Sequence, residues 1–111
     1  MGFKKVCGLD DLWEGDMSPF VIDGQDVLLI WAEGASVRAF QGECPHQAIP
    51  LSEGAFDGKV LTCRAHQWEF DGCTGKGINP TDCGLVEYPL KIENDEVYVN
   101  VEGIEPQHAH A

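Results

Sequence analysis

The chain has 111 residues, a formal net charge of -12 and 43% hydrophobic residues. This length suits one domain that buries a core without needing disulfides. The charge argues against nucleic acid and anionic membranes as partners and favours a basic docking surface, and no apolar run is long enough to span a bilayer.

Residues 3–7, FKKVC, predict a short strand. The two lysines near the start are not followed by the apolar stretch of a secretory signal, so a cytoplasmic protein is expected. Residues 9–17 predict at most one helical turn, with acids early and Gly15 as its stop. Two apolar runs, 20–22 and 27–31, flank Asp23-Gly24, a dipeptide suited to a tight hairpin. Glu33-Gly34 then separates the second run from a third at 37–40. An antiparallel meander is the expectation.

The middle of the chain, from about 43 to 84, is different. It is rich in Gly and Pro and holds four of the five cysteines. Asp57-Gly58 and Asp71-Gly72 mark turns, with short strands expected at 59–62 and 67–70. Alternation returns in LVEYPLKIENDEVYVNVEG, which predicts two strands around Asn94-Asp95. Residues 106–111 read as a loose tail, and His108 and His110 within it carry no site. The fold class is therefore all-β. One domain over 1–111 is expected, an antiparallel sandwich or barrel. Its loop-rich part, about 43–84, is inserted in a β base formed by 1–42 and 85–105.

The chemistry lies in Cys44-Pro45-His46 and Cys63-Arg64-Ala65-His66. Sixteen residues, 47–62, separate the two motifs. With no secretion signal, such cysteines are read as metal ligands or free thiols before disulfides. A nucleophilic Cys/His pair needs an orienting third group, and nothing explains its appearing twice. A structural zinc module for protein interaction is chemically reasonable, but zinc fingers pair Cys with Cys and His with His. Here each motif is mixed. Two facing loops of this kind suit two iron atoms that divide thiolates and imidazoles, the ligation of a Rieske [2Fe–2S] centre. Cys7, Cys73 and Cys83 are left without a role and read as small buried hydrophobes.

The pattern CPH…CRAHQWEF resembles that of Rieske [2Fe–2S] ferredoxins, and the resemblance covers nearly the whole chain. CPHQ, LSEG, TCRAHQWEF and GINPTDCGLVEYP are most similar to ferredoxin components of bacterial toluene and alkene monooxygenases. The resemblance implies one [2Fe–2S] cluster, with Cys44 and Cys63 on the inner iron and His46 and His66 on the outer. Neutral imidazoles in place of two thiolates raise the potential above that of all-Cys clusters. Membrane-complex members of the family carry two further cysteines that bridge the ligand loops. This chain has Ile49 and Ala65 there, which implies the lower-potential kind without the bridge. Pro45 fixes φ beside the first ligands. Gln47 and Gln67 are candidate docking residues, Trp68 reads as a shield, a docking residue or a strand residue packed in the core, and residues 75–80, ending at Pro80, resemble the loop that covers the cluster.

The function so implied is electron transfer, not catalysis. The partners would be an NADH-dependent flavin reductase and the diiron hydroxylase of an aromatic or alkene monooxygenase, met by a monomer in transient complexes. A ferredoxin of an aromatic-ring dioxygenase is the near alternative.

Overall fold

The structure is a computed structural model, and it describes residues 2–45, 49–64, 67–79 and 84–104. Eleven strands follow one another: β1 (Phe3–Gly8), β2 (Asp16–Ile22), β3 (Gln25–Trp31), β4 (Val37–Gln41), β5 (Ala55–Phe56), β6 (Val60–Thr62), β7 (Glu69–Asp71), β8 (Gly77–Asn79), β9 (Glu87–Tyr88), β10 (Leu90–Glu93) and β11 (Glu96–Asn100). The other regular pieces are single 3-10 turns at Leu9–Asp11 and Leu51–Glu53. The all-β expectation is met.

The meander forms as expected. Strands β2, β3 and β4 are consecutive neighbours, and β9 completes the sheet in the order β2-β3-β4-β9. Asp23 and Gly24 take φ of 52° and 79°, the left-handed pair that a two-residue hairpin turn uses. Asn94 and Asp95 do the same between β10 and β11, at 52° and 62°. Their short polar side chains tolerate this conformation better than most. A second sheet runs β1-β11-β10, and a third runs β5-β6-β7-β8. Every pairing is antiparallel.

Strand β3 is buried on both faces. Side chains alternate along a strand, so Val27 and Leu29 point one way and Leu28 and Ile30 the other. All four are at most 1% exposed. Val27 and Leu29 join Ala39, Tyr88, Val97 and Val99 in a first core, between this sheet and the one holding β1, β10 and β11. Leu28 and Ile30 join Phe40, Leu51, Leu61 and Phe70 in a second core, beneath the β5–β8 sheet. The middle sheet therefore serves two cores.

The segment expected as a covering loop is only partly a loop. Gly77–Asn79 pairs with β7 as β8, because Gly75 brings the chain back: its N–H donates to the Asp71 carbonyl and its own carbonyl accepts from Leu85, both at 2.7 Å. Pro80 lies outside the described residues.

Gly42 leads the chain out of β4. Its N–H donates to the Asp26 carbonyl and its carbonyl accepts from the Leu51 N–H, each at 2.8 Å. A Cβ there would sit 2.7 Å from Asp26 Cβ and 2.8 Å from the Asp26 carbonyl carbon. Backbone cannot yield as a side-chain tip can. Gly42→Ala is expected to lose about 1–3 kcal/mol, the cost of overpacking, in urea unfolding; an unchanged midpoint would contradict this packing.

Candidate metal centre

Two loops of equal length leave two stems of equal register. In the first, the Cys44 N–H donates to the Ile49 carbonyl at 3.0 Å, below the bridge Glu43↔Pro50. In the second, the Cys63 N–H donates to the Trp68 carbonyl at 2.8 Å, below the pair Thr62↔Glu69. Each loop begins with its cysteine. The spans are 44–49 and 63–68. The sequence puts His46 third in one loop and His66 fourth in the other; both lie outside the described residues.

Local chemistry explains the stems. The bonds of Gly42 and Cys44 to Leu51 and Ile49 make Glu43 and Pro50 a non-hydrogen-bonded pair, whose own N–H and C=O groups point away from each other. Proline is tolerated there because no inward N–H is required of it. Gln67 takes φ of 54°, uncommon for a residue with a long side chain, and so turns the second loop back to Trp68.

Tertiary packing puts both cysteines in one core. Cys44 and Cys63 are both 0% exposed and belong to the second core, with Leu28, Ile30 and Phe40. Pro45 is buried next to Cys44. The Trp68 side chain packs against the same core, partly buried. It is a wall of that core before it is a docking residue. Gln67 is exposed. Arg64 reaches from the second loop to Glu53 in the turn after the first, Nε to Oε1 at 2.7 Å. Both side chains are more than half exposed, so the pair adds about 1 kcal/mol at most and serves chiefly to relate one loop to the other.

The remaining cysteines separate from this pair. Cys7 lies in the first core, where burial pushes its thiol pKa up and leaves it unreactive. Cys73 sits half-buried in the turn between β7 and β8, its N–H donating to Asp71 Oδ1 at 2.8 Å. Gln47 and Cys83 lie outside the described residues. Sequence reading missed Gln41, a buried amide beside the first stem; its only signal was a glutamine ending an otherwise apolar run.

The donor chemistry suits an iron–sulfur group. Two bare thiolates in an apolar core would each cost several kcal/mol, whereas thiolates on iron share their charge with the metal. With two imidazoles added by sequence, the set matches mixed Cys/His ligation.

Residues 2–89 match the family model of the Rieske [2Fe-2S] domain, and the chain belongs to this family. It is 44% identical over 102 residues to the ferredoxin component of the alkene monooxygenase system of Xanthobacter autotrophicus, covering 90% of this chain and 82% of that protein. It is 37% identical to the ferredoxin component of the naphthalene 1,2-dioxygenase/salicylate 5-hydroxylase systems of Ralstonia sp, over 85% of this chain and 90% of the relative. The ferredoxin of carbazole 1,9a-dioxygenase from Nocardioides aromaticivorans IC177 superposes with a TM-score of 0.78 at 27% identity, over 90% of this chain and 98% of that one. The domain binds one [2Fe–2S] cluster, and the chain is an electron carrier, not a catalyst. The zinc-module reading has no support among these relatives. Among the described residues, no helix is long and apolar enough to cross a membrane.

Leu28 and Leu29 are neighbours in β3 that face different cores. Each change to Ala is expected to cost about 2–5 kcal/mol. Only Leu28→Ala opens space in the core that holds Cys44 and Cys63, so its visible absorbance should bleach faster in chelator than that of Leu29→Ala. Equal bleaching at equal stability loss would show that the second core does not protect the centre.

Proposed function

We propose that Cys44, His46, Cys63 and His66 hold the cluster, thiolates on the inner iron and imidazoles on the outer. The observation that carries this reading is the pair of buried cysteines opening two six-residue loops of identical register. When bound, the cluster accepts one electron and gives it back. The rest belongs to the chain. The second core keeps water from the sulfur side, and the stems hold the two loop origins apart at a set register. The cluster-binding part, about 43–84, and the β base from 1–42 and 85–105 act as one domain; the middle sheet supports this by serving both cores.

The proposed path runs from an NADH-dependent flavin reductase, through this protein, to a terminal oxygenase. The oxygenase is the diiron hydroxylase of an alkene or aromatic monooxygenase, and the system is cytoplasmic. The alkene monooxygenase relative, at 44% identity, supports this choice. An aromatic-ring dioxygenase is the second reading, favoured by the Ralstonia relative. The net charge of -12 suits brief encounters with basic surfaces, guided over distance and easily released.

Reconstitution separates the two oxygenases: turnover with a diiron hydroxylase is expected, and turnover only with a ring dioxygenase would reverse the assignment. Electron delivery should slow as salt shortens the Debye length from about 30 Å at 0.01 M to about 8 Å at 0.15 M; a constant rate would show that charge does not steer the encounter.

Substitution tests the ligands directly. Cys44→Ser and Cys63→Ser should lose iron and acid-labile sulfide, while Cys73→Ser keeps both. His46→Cys or His66→Cys should lower the potential, since a neutral donor becomes an anionic one. An unchanged potential would count against imidazole ligation.

A further inference from the structure

Among the described residues, Gln41 is the one buried side chain that carries an amide or a charge, at 0% exposure. Its Nε2 donates to the Glu43 carbonyl at 2.8 Å. Its Oε1 accepts from the Val86 N–H at 2.9 Å, and its own backbone N–H donates to the Val86 carbonyl at 3.0 Å. One residue thus joins the strand leaving the base, the stem of the first loop and the segment returning to the base.

The Glu43 carbonyl belongs to the same peptide group as the Cys44 N–H. That N–H closes the first loop on Ile49. The peptide entering Cys44 is therefore bonded at both ends, by Gln41 on one side and by the loop on the other. Two such bonds fix its plane, and each polarises the other.

The second loop does not need this device. Thr62 holds the register position that Glu43 holds in the first stem, and its outward side pairs with Ala55 of β5. Among the described residues, the strand pairing of Glu43 is the isolated bridge to Pro50. Backbone pairing beside β4 runs through Phe40↔Glu87 to the Gln41 N–H on the Val86 carbonyl, and then the Leu85 N–H turns away to the Gly75 carbonyl. The Gln41 amide bonds the outward Glu43 carbonyl, which a neighbouring strand would otherwise bond.

We infer that Gln41 is a positioning residue for the centre: its side-chain amide stands in for a missing strand and holds the peptide that sets the direction of Cys44. The inference rests on Cys44 being a ligand, as proposed above. Gln41 acts through the Glu43–Cys44 peptide.

Gln41→Met keeps the length and removes the amide. Tyr88→Phe is the control, because it removes a hydrogen bond, Tyr88 hydroxyl to Gln25 Oε1 at 3.3 Å, in the first core. The readouts are bleaching in chelator and the EPR g-values of the reduced protein. Gln41→Met is expected to lose its cluster about tenfold faster, the factor of one hydrogen bond of ordinary strength, and to shift its g-values. Tyr88→Phe should keep wild-type behaviour in both. Wild-type bleaching and g-values in Gln41→Met would overturn the inference, and so would equal changes in the two variants, which would reduce the effect to general stability. Should Gln41→Met not fold, Gln41→Asn, with the same amide one methylene short, takes its place: faster bleaching with shifted g-values supports the inference, and wild-type values overturn it. Cys44→Ser separates the underlying assumption: retention of the cluster there removes the ligand assignment, whereas its loss beside a wild-type Gln41→Met removes the Gln41 inference alone.

Discussion

Two sulfur-bearing loop origins must be buried in one apolar core, and the rest of the structure follows from that demand. Cys44 and Cys63 lie nineteen positions apart in the chain and come from different stems. Both end at 0% exposure in one core. The floor of that core is one face of β3, with Leu28 and Ile30. The other face, with Val27 and Leu29, belongs to the base. A strand buried on both sides cannot slip by one residue without exchanging its two faces. Its register therefore holds the centre in place against the base.

The charges work on a different scale. The ion pairs, such as Lys4 with Asp23 and Lys5 with Glu96, join side chains that are each more than a third exposed. Pairs of this kind add little to stability. Stability rests on the two cores, and the excess of acids is free to set the long-range field that meets partners. Arg64 is the exception in place: a cation on a loop of the centre, held by Glu53.

Much of this was legible in the residues. The hairpin at Asp23-Gly24 and the turn at Asn94-Asp95 were readable because left-handed backbone is a local demand that few residue types meet. The meander was readable because apolar runs bounded by turn residues are local too. The pairing of β1 with β11 was not, since Phe3↔Asn100 joins the two ends of the described chain and no local pattern encodes which distant edge a strand will find. Residues 77–79 were expected as loop because 75–80 resemble the loop that covers the cluster, yet the two Gly75 hydrogen bonds return the chain to β7. Trp68 could be read as shield, docking residue or core; packing put it against the second core. Gln41 was invisible as a functional residue, because a glutamine at a strand end is ordinary until its bonds to Glu43 and Val86 are known.

By itself the sequence determined two mixed Cys/His motifs, sixteen residues apart, in an acidic chain, and so the candidate donor set. Ligand chemistry depends on residue type and spacing, which are properties of the chain. The tertiary structure alone decided which cysteines share a core, that the two stems have one register, and that a side-chain amide replaces a strand beside the first. Those outcomes depend on contacts between residues far apart in sequence, such as Gln41 with Val86 and Thr62 with Ala55. Only the packed sheets bring such residues within reach of each other.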